Sequence, residues 1–312
     1  MTRAARTGSI FANRADAVGG WGRDPSAFEP AFVQRQHARI SRMFGPGRYF
    51  GVDAQGWENV PDGASLLVSN HSGGTTVLDA WGLVWSWYDR WGFDRPLHGL
   101  AHEAVFATQT TGRFFARGGV LRASPESAAA VLGELKRPLL VMPGGDRDVW
   151  RPASERYHVR FAGRRGYART AVEQNVPVVP VAHVGAHHTL LVLTDGRAIA
   201  RRLGIKRIAR AEIFPVHLSF PWGLAIGPWP HLPPPTTLHY RIGAPLYPSR
   251  DLPFDEAVAD LDLRTQAAIQ ALLDGMRGEA PVREGLTRAV RGVRATVRRA
   301  LGRPAELQPA AR

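Results

Sequence analysis

The densest chemistry in the chain lies in the string Asn70-His71-Ser72-Gly73-Gly74, with Asp79 the only acid close downstream. An imidazole can take the proton of an attacking hydroxyl near neutral pH, and a carboxylate bonded to its other nitrogen fixes the tautomer and stabilises the imidazolium that forms. His71 is on that reading a general base and Asp79 its partner. The same string admits a second chemistry. It shares the serine and final glycine of the nucleophile elbow G-x-S-x-G and departs from it at the first residue, which would make Ser72 a nucleophile and require a later histidine, His217 or His239, as its base. Asn70 stands where that strained turn prefers glycine, and no His-Gly-Gly oxyanion string lies upstream.

A second candidate site is Pro143-Gly144-Gly145-Asp146-Arg147, directly after an apolar run. Glycines let backbone amides approach an anion, and a nearby arginine pairs bidentately with phosphate. Gly144, Gly145 and Arg147 are therefore candidate substrate-binding residues; the plainer reading is a tight turn beside a surface charge. Arg117 and Arg122 flank Gly118-Gly119 and are further candidates for an anionic group, or ordinary surface arginines. His183, His187 and His188 contain an i, i+4 pair but follow a strand and lack the glutamate of a zinc helix, so no metal and no cofactor is expected. The absence of cysteine removes thiolate catalysis and zinc ribbons.

These residues need elements to hold them. Short apolar runs at 66–69, 97–101, 139–142 and 176–182 alternate with helical stretches near 76–90, 103–116, 125–136 and 164–174, and a later strand falls near 237–243. That alternation predicts an α/β fold, a mostly parallel central sheet flanked by helices. Ligands in such sheets bind beyond the carboxyl ends of strands, where His71 stands. Phe32, Val33, Ile40, Met43 and Phe44 predict an amphipathic helix stopped by Gly45 and Pro46, docked on lipid or on the core. Residues 214–235, dense in proline, tryptophan and glycine, predict an irregular loop that either faces lipid or covers a sheet edge.

At this point the chain resembles the glycerolipid acyltransferases related to lysophosphatidate acyltransferase. The likeness covers roughly residues 60–250 and rests on the order of four blocks. Asn70-His71 is similar to the first block, with seven residues separating His71 from Asp79 where the family has four, a difference that Gly73-Gly74 can absorb as a loop. Pro143, Gly145 and Arg147 correspond to the third block, in which Gly144 replaces a glutamate; residues 176–181 look like the fourth. In the second block, residues 118–124, Ser124 stands where the family has its phosphate-binding arginine, with Arg122 or Arg117 as possible substitutes. The resemblance implies transfer of a fatty acyl group from acyl-CoA or acyl carrier protein to a glycerolipid hydroxyl, His71 acting as base. The two replaced residues imply the branch with neutral acceptors such as mono- or diacylglycerol.

The chain reads as a loose arm over 1–25, an acyltransferase domain over 26–280 and a basic amphipathic helix over 281–312. That last helix carries Leu286, Val290, Val293, Val297 and Leu301 as its stripe and arginines on its other faces, which suits an interfacial anchor or packing on the protein itself. Forty basic against 27 acidic residues give +13, a surplus that favours anionic surfaces, although only Lys136 and Lys206 are lysines and an arginine bias supplies much of it. No nucleic-acid module is present, so the expected partner is an anionic membrane. No apolar run is long enough to span a bilayer and the first thirty residues lack a secretory signal, so the expected place is peripheral, on the cytoplasmic face. A non-catalytic, basic membrane-binding protein is the remaining alternative.

Overall fold

Leu66–Ser69 is apolar on both faces until its last residue and is buried throughout, the composition of a strand with helices above and below it. It is strand β2 of a seven-stranded sheet with order β1-β10-β6-β2-β5-β3-β4. The others are β1 (Phe50–Gln55), β3 (His98–Ala101), β4 (Val120–Arg122), β5 (Leu139–Val141), β6 (Val178–Val184) and β10 (Thr236–Ile242). Every pairing is parallel except that of β10 with β6. The computed structural model describes residues 20–205 and 213–278. The basic helix expected over 281–312, and most of the arm over 1–25, lie outside the described residues.

Side chains of successive strand residues point to opposite faces, and the two cores divide accordingly. Leu66, Val68, Leu139, Val141 and Val178 pack with α6 (Gly166–Glu173) and α8 (Phe254–Gly275) on one face. Leu67, Leu140, Val179 and Val181 pack on the other with α1 (Pro30–Ile40) and α2 (Leu78–Trp91). Val33 of α1 belongs to this second core, so the helix docks on protein. It ends at Ile40, short of the predicted stop at Gly45 and Pro46.

Two predicted helices are interrupted. The stretch 103–116 divides into a 3-10 turn, Glu103–Phe106, and α3 (Gln109–Arg117), since Thr108 caps the latter by accepting the Thr111 amide at 3.2 Å. Ser124 caps α4 (Pro125–Ala129) in the same way and the chain continues as a single π turn, Ala130–Glu134. The expectation of an irregular loop over 214–235 is corrected: β8 (Val216–Ser219) and β9 (Gly223–Ile226) form a hairpin that pairs with β7 (Leu191–Thr194) in a small antiparallel sheet. Residues 214–215 before the hairpin and 227–235 after it remain irregular.

Candidate active site

Strands β5, β2 and β6 are adjacent and parallel, so their carboxyl ends emerge at one edge of the sheet. The segments that leave β5 and β2 carry Asp148 and His71, and His183 is the penultimate residue of β6. Asn70 closes the β2 to β6 ladder with its side chain: its amide nitrogen donates to the His183 carbonyl at 3.1 Å and its oxygen accepts the His183 amide at 2.9 Å. Only a side-chain amide offers donor and acceptor together in that geometry, which explains asparagine before His71.

The chain then turns back through Gly73 (φ 95) and Gly74 (φ 64), left-handed conformations that glycine adopts without cost. Val77 (φ 44) follows in the same region as the residue before α2, a strained position for a β-branched side chain, worth about 1–3 kcal/mol. This excursion absorbs the seven residues between His71 and Asp79. Asp79 Oδ2 accepts from His71 Nδ1 at 2.6 Å and from the Ser72 amide at 2.8 Å, and its Oδ1 accepts the Ala80 amide at 2.9 Å. Tyr240 donates to the Asp79 carbonyl at 2.7 Å and holds the start of α2 against β10.

Because a carboxylate only accepts, the proton between the pair belongs to His71 Nδ1, which leaves Nε2 with its lone pair. That nitrogen makes no hydrogen bond among the described residues and is not among the enclosed polar atoms. The His71 side chain keeps 13% of its surface whereas Asp79 has none, so the imidazole presents its free nitrogen while its partner stays dry. Burial opposes a charge on His71, but the attraction and hydrogen bond of Asp79, with help from Asp148, outweigh it and raise the ring above its ordinary 6.5. Burial also opposes the charge on Asp79, which for a carboxyl means a rise; His71, His183 and the hydrogen bonds it accepts outweigh this and hold it below the usual carboxylate range.

Three further residues complete the site and were not assigned roles in it from sequence. Asp148 Oδ2 accepts the His71 amide at 2.6 Å, and its Oδ1 pairs with Arg151 at 2.9 Å. Arg151 also donates to the His71 carbonyl at 3.3 Å and to the His158 carbonyl. The backbone of His71 is thus gripped on both sides by one buried ion pair. Ser72 Oγ lies 2.8 Å from His183 Nε2, which also lies 3.3 Å from Asp79 Oδ2. A signal for His183 existed in its place at the carboxyl end of a strand next to the Asn-His strand; Asp148 directly follows the third block.

The remaining predicted residues fall in two groups. Gly144 and Gly145 lie in a turn that Arg164 clamps by donating to the Pro143 and Gly144 carbonyls at 3.2 and 2.7 Å. A Cβ on Gly144 would stand 2.2 Å from the Cβ of Asp148, so glycine there lets Asp148 reach the His71 loop. Arg147 is the half-buried neighbour of Asp148 in α5 (Gly145–Val149). Arg117 and Arg122 are not brought to the dyad. Arg122 ends β4, three strands and roughly 14 Å from β2, where it donates to the Trp21 carbonyl at 2.8 Å. Arg117 pairs bidentately with Glu29 at 2.8 and 2.7 Å.

A family model described as Acyltransferase matches residues 51–184, from the second residue of β1 to the last of β6. These residues form an acyltransferase-family domain. The match contains the His71–Asp79 pair, Asp148 and His183 together. An uncharacterized protein of Mycobacterium tuberculosis is 30% identical over 222 residues, 67% of this chain and 60% of that protein. A protein of Gallus gallus named "DGAT1/2-independent enzyme synthesizing storage lipids" is 27% identical over 234 residues, 73% of this chain and 61% of its own. The chain thus spans about 60% of the length of these curated relatives. A crystal structure of a 1-acyl-sn-glycerophosphate (LPA) acyltransferase from Thermotoga maritima superposes with a TM-score of 0.43 and 16% identity, covering 78% of this chain and 77% of that one.

Beside the dyad of the acyltransferase domain, Ser72, Gly73, Arg151 and Arg156 face Leu190 and Val192 across a cleft with room for about one water molecule. Among the described residues no group of histidines and acids is arranged to hold a metal ion, and no helix is long and apolar enough to cross a membrane. The protein also encloses neutral imidazoles. Burial pushes His98, His183 and His188 down to about 4. In the unfolded chain each ring takes up its proton near 6.5, so between pH 6.5 and 4 the unfolded state binds more protons and stability drops as the pH is lowered, by about 1.4 kcal/mol for each pH unit separating the two values. The expected result is a urea midpoint clearly lower at pH 5 than at pH 7. A flat profile would show that these rings are open to water when folded.

Proposed function

We propose that the chain moves a fatty acyl group from a thioester, acyl-CoA or acyl carrier protein, onto the hydroxyl of a glycerolipid, with His71 as general base. The observation that carries this is the 2.6 Å bond from His71 Nδ1 to a fully buried carboxylate, with Nε2 left unbonded. Nε2 takes the hydroxyl proton as the oxygen attacks the thioester carbonyl. The tetrahedral intermediate expels the thiolate, which leaves as thiol with the proton held by His71. Asp79 stays ionised and stabilises the imidazolium between these transfers. Gly144, Gly145 and Arg147, beside Asp148, are the residues we assign to the anionic part of a substrate. Membership of the acyltransferase family supports the reaction class, and the Gallus gallus relative's name supports a storage-lipid product. Gly144 in place of a glutamate and Ser124 in place of an arginine favour a neutral acceptor. The same reading puts the chain at the cytoplasmic face of a membrane, where a soluble thioester and a lipid alcohol meet.

The serine-hydrolase reading gains one feature, the bond of Ser72 Oγ to His183 Nε2. It lacks the rest. A triad needs a carboxylate on the other ring nitrogen, but His183 Nδ1 is buried without a partner and Asp79 approaches the Nε2 side. His217 and His239 are engaged elsewhere, with the Gly227 carbonyl at 3.1 Å and Asp53 at 3.1 Å. The deciding experiment measures thiol release from palmitoyl-CoA by purified protein with monoacylglycerol, diacylglycerol, lysophosphatidate or no acceptor. Release is expected only with a lipid acceptor and more with the neutral ones. Equal release without acceptor would overturn transfer in favour of hydrolysis.

A further inference from the structure

An antiparallel sheet packed on a domain normally shows apolar residues inward and polar residues outward. The small sheet β7-β8-β9 breaks that rule. Val192, His217 and Ala225 are buried, one from each strand, and they fill its inner face. Its outer face is also apolar: Leu191 pairs with Leu218 and Leu218 with Leu224 in one row across all three strands, and Val216 pairs with Ile226 in the next. Beyond the strand ends Phe220, Trp222 and Trp229 add to this surface, and these three aromatics and the outward Leu191, Leu193, Leu218, Leu224 and Ile226 are each 41 to 67% exposed. A contiguous patch of large apolar side chains is uncommon on a free surface and marks an interaction site.

Charge selects the occupant. From Ile213 to Tyr240 the sequence contains no Asp, Glu, Lys or Arg. Before that span, and separated from it by Ala211 and Glu212, residues 197–210 hold six basic residues and no acid, and Arg201 and Arg202 of α7 (Arg197–Arg202) are exposed. An uncharged apolar face rich in tryptophan beside a run of cations matches a bilayer that carries negative headgroups: the aromatic rings suit the interface, and each cation near it contributes about 1 kcal/mol. Trp222 and Trp229 have their ring N–H groups satisfied by the Pro230 and Ile226 carbonyls, at 2.5 and 2.9 Å, so either can enter an apolar layer without stranding a donor. We infer that the outer face of β7-β8-β9 docks on an anionic lipid bilayer. The cleft beside Ser72 and Gly73 is lined by Val192, on the opposite face of the same β7 strand whose Leu191 and Leu193 point outward. Docking through this sheet therefore sets the bilayer one strand thickness from the site.

The test is sedimentation of the full chain with vesicles of phosphatidylcholine alone or with 30% phosphatidylglycerol, a ratio of about the kind that gives a physiological surface potential. No acyl transfer is read, so failure here leaves the proposed reaction untouched. Binding is expected with the anionic vesicles, and Leu224→Glu together with Trp222→Glu should weaken it at least tenfold while far-UV circular dichroism and the urea midpoint stay unchanged. Leu191→Ser with Leu218→Ser is a milder pair that should weaken it in the same direction. Undiminished binding by both pairs would overturn the inference and place the anchor elsewhere. So would a wild-type dimer in solution that the same substitutions dissociate, since a second copy would then be what covers this face.

Discussion

Replacing His71 with alanine is expected to lower acceptor-dependent thiol release by about 10²- to 10⁴-fold, the contribution of a positioned general base, and to cost about 1–3 kcal/mol of stability because the buried Asp79 carboxylate loses its 2.6 Å partner, without unfolding the loop. The fold should tolerate the change because the anchors of this loop are backbone groups: the His71 amide bonds Asp148, its carbonyl accepts from Arg151, and the Ser72 amide bonds Asp79. Ser72→Ala supplies the contrast. Among the described residues the Ser72 hydroxyl bonds only His183, so its loss should change the rate by less than about tenfold. A profile in which both variants keep full activity would be incompatible with both enzyme readings, and loss in Ser72→Ala alone would favour hydrolysis. The pH dependence gives a second handle on the same ring. The base acts only when unprotonated, and Asp79 raises His71 above 6.5, so kcat should rise with pH through a midpoint above that value. Asp79→Asn removes the charge that raises the ring, and the midpoint should then move to lower pH as the rate falls.

How much of this was legible beforehand follows from what each element must satisfy. Strands β2, β5 and β6 are buried on both faces and read as unbroken apolar runs, and α2 follows a glycine-rich turn; these are the elements that carry His71 and Asp79. The pair itself was legible because an asparagine, a histidine and the next acid lay at a strand-to-helix junction. Its closure across seven residues was not, since that depends on backbone conformations at Gly73, Gly74 and Val77. Strand β4 has three residues and no pattern to find. The β8-β9 hairpin was hidden because its two faces are both apolar, which erases the alternation by which a half-buried strand is recognised. The 22-residue α8 is weakly marked in the sequence: its inward Ala257, Leu261, Thr265 and Ile269 keep helical spacing, but Leu263, 69% exposed, blurs the stripe. His183 and Asp148 lie 112 and 77 residues from His71 (183 minus 71 and 148 minus 71), and only the order of parallel strands brings them together.

The ion pair beneath the His71 loop sets the other large effect. Asp148 and Arg151 have side chains 0% and 2% exposed, and burial pushes Asp148 above the ordinary carboxylate range against the pull of Arg151 and the His71 amide. Removing one member of such a pair leaves a buried charge uncompensated, which typically costs about 3–5 kcal/mol. Asp148→Ala is therefore expected to lower stability by that amount in urea unfolding and, in the protein that remains folded, to release the His71 amide and reduce transfer. The double variant Asp148→Ala with Arg151→Met removes the stranded cation as well and should recover a large part of the stability. It should not recover the rate, because the His71 amide and carbonyl both still lack their partners. If the double variant regained activity along with stability, the pair would serve only to fill the core. If neither variant lost stability, the contacts that Asp148 and Arg151 make here would not persist in solution.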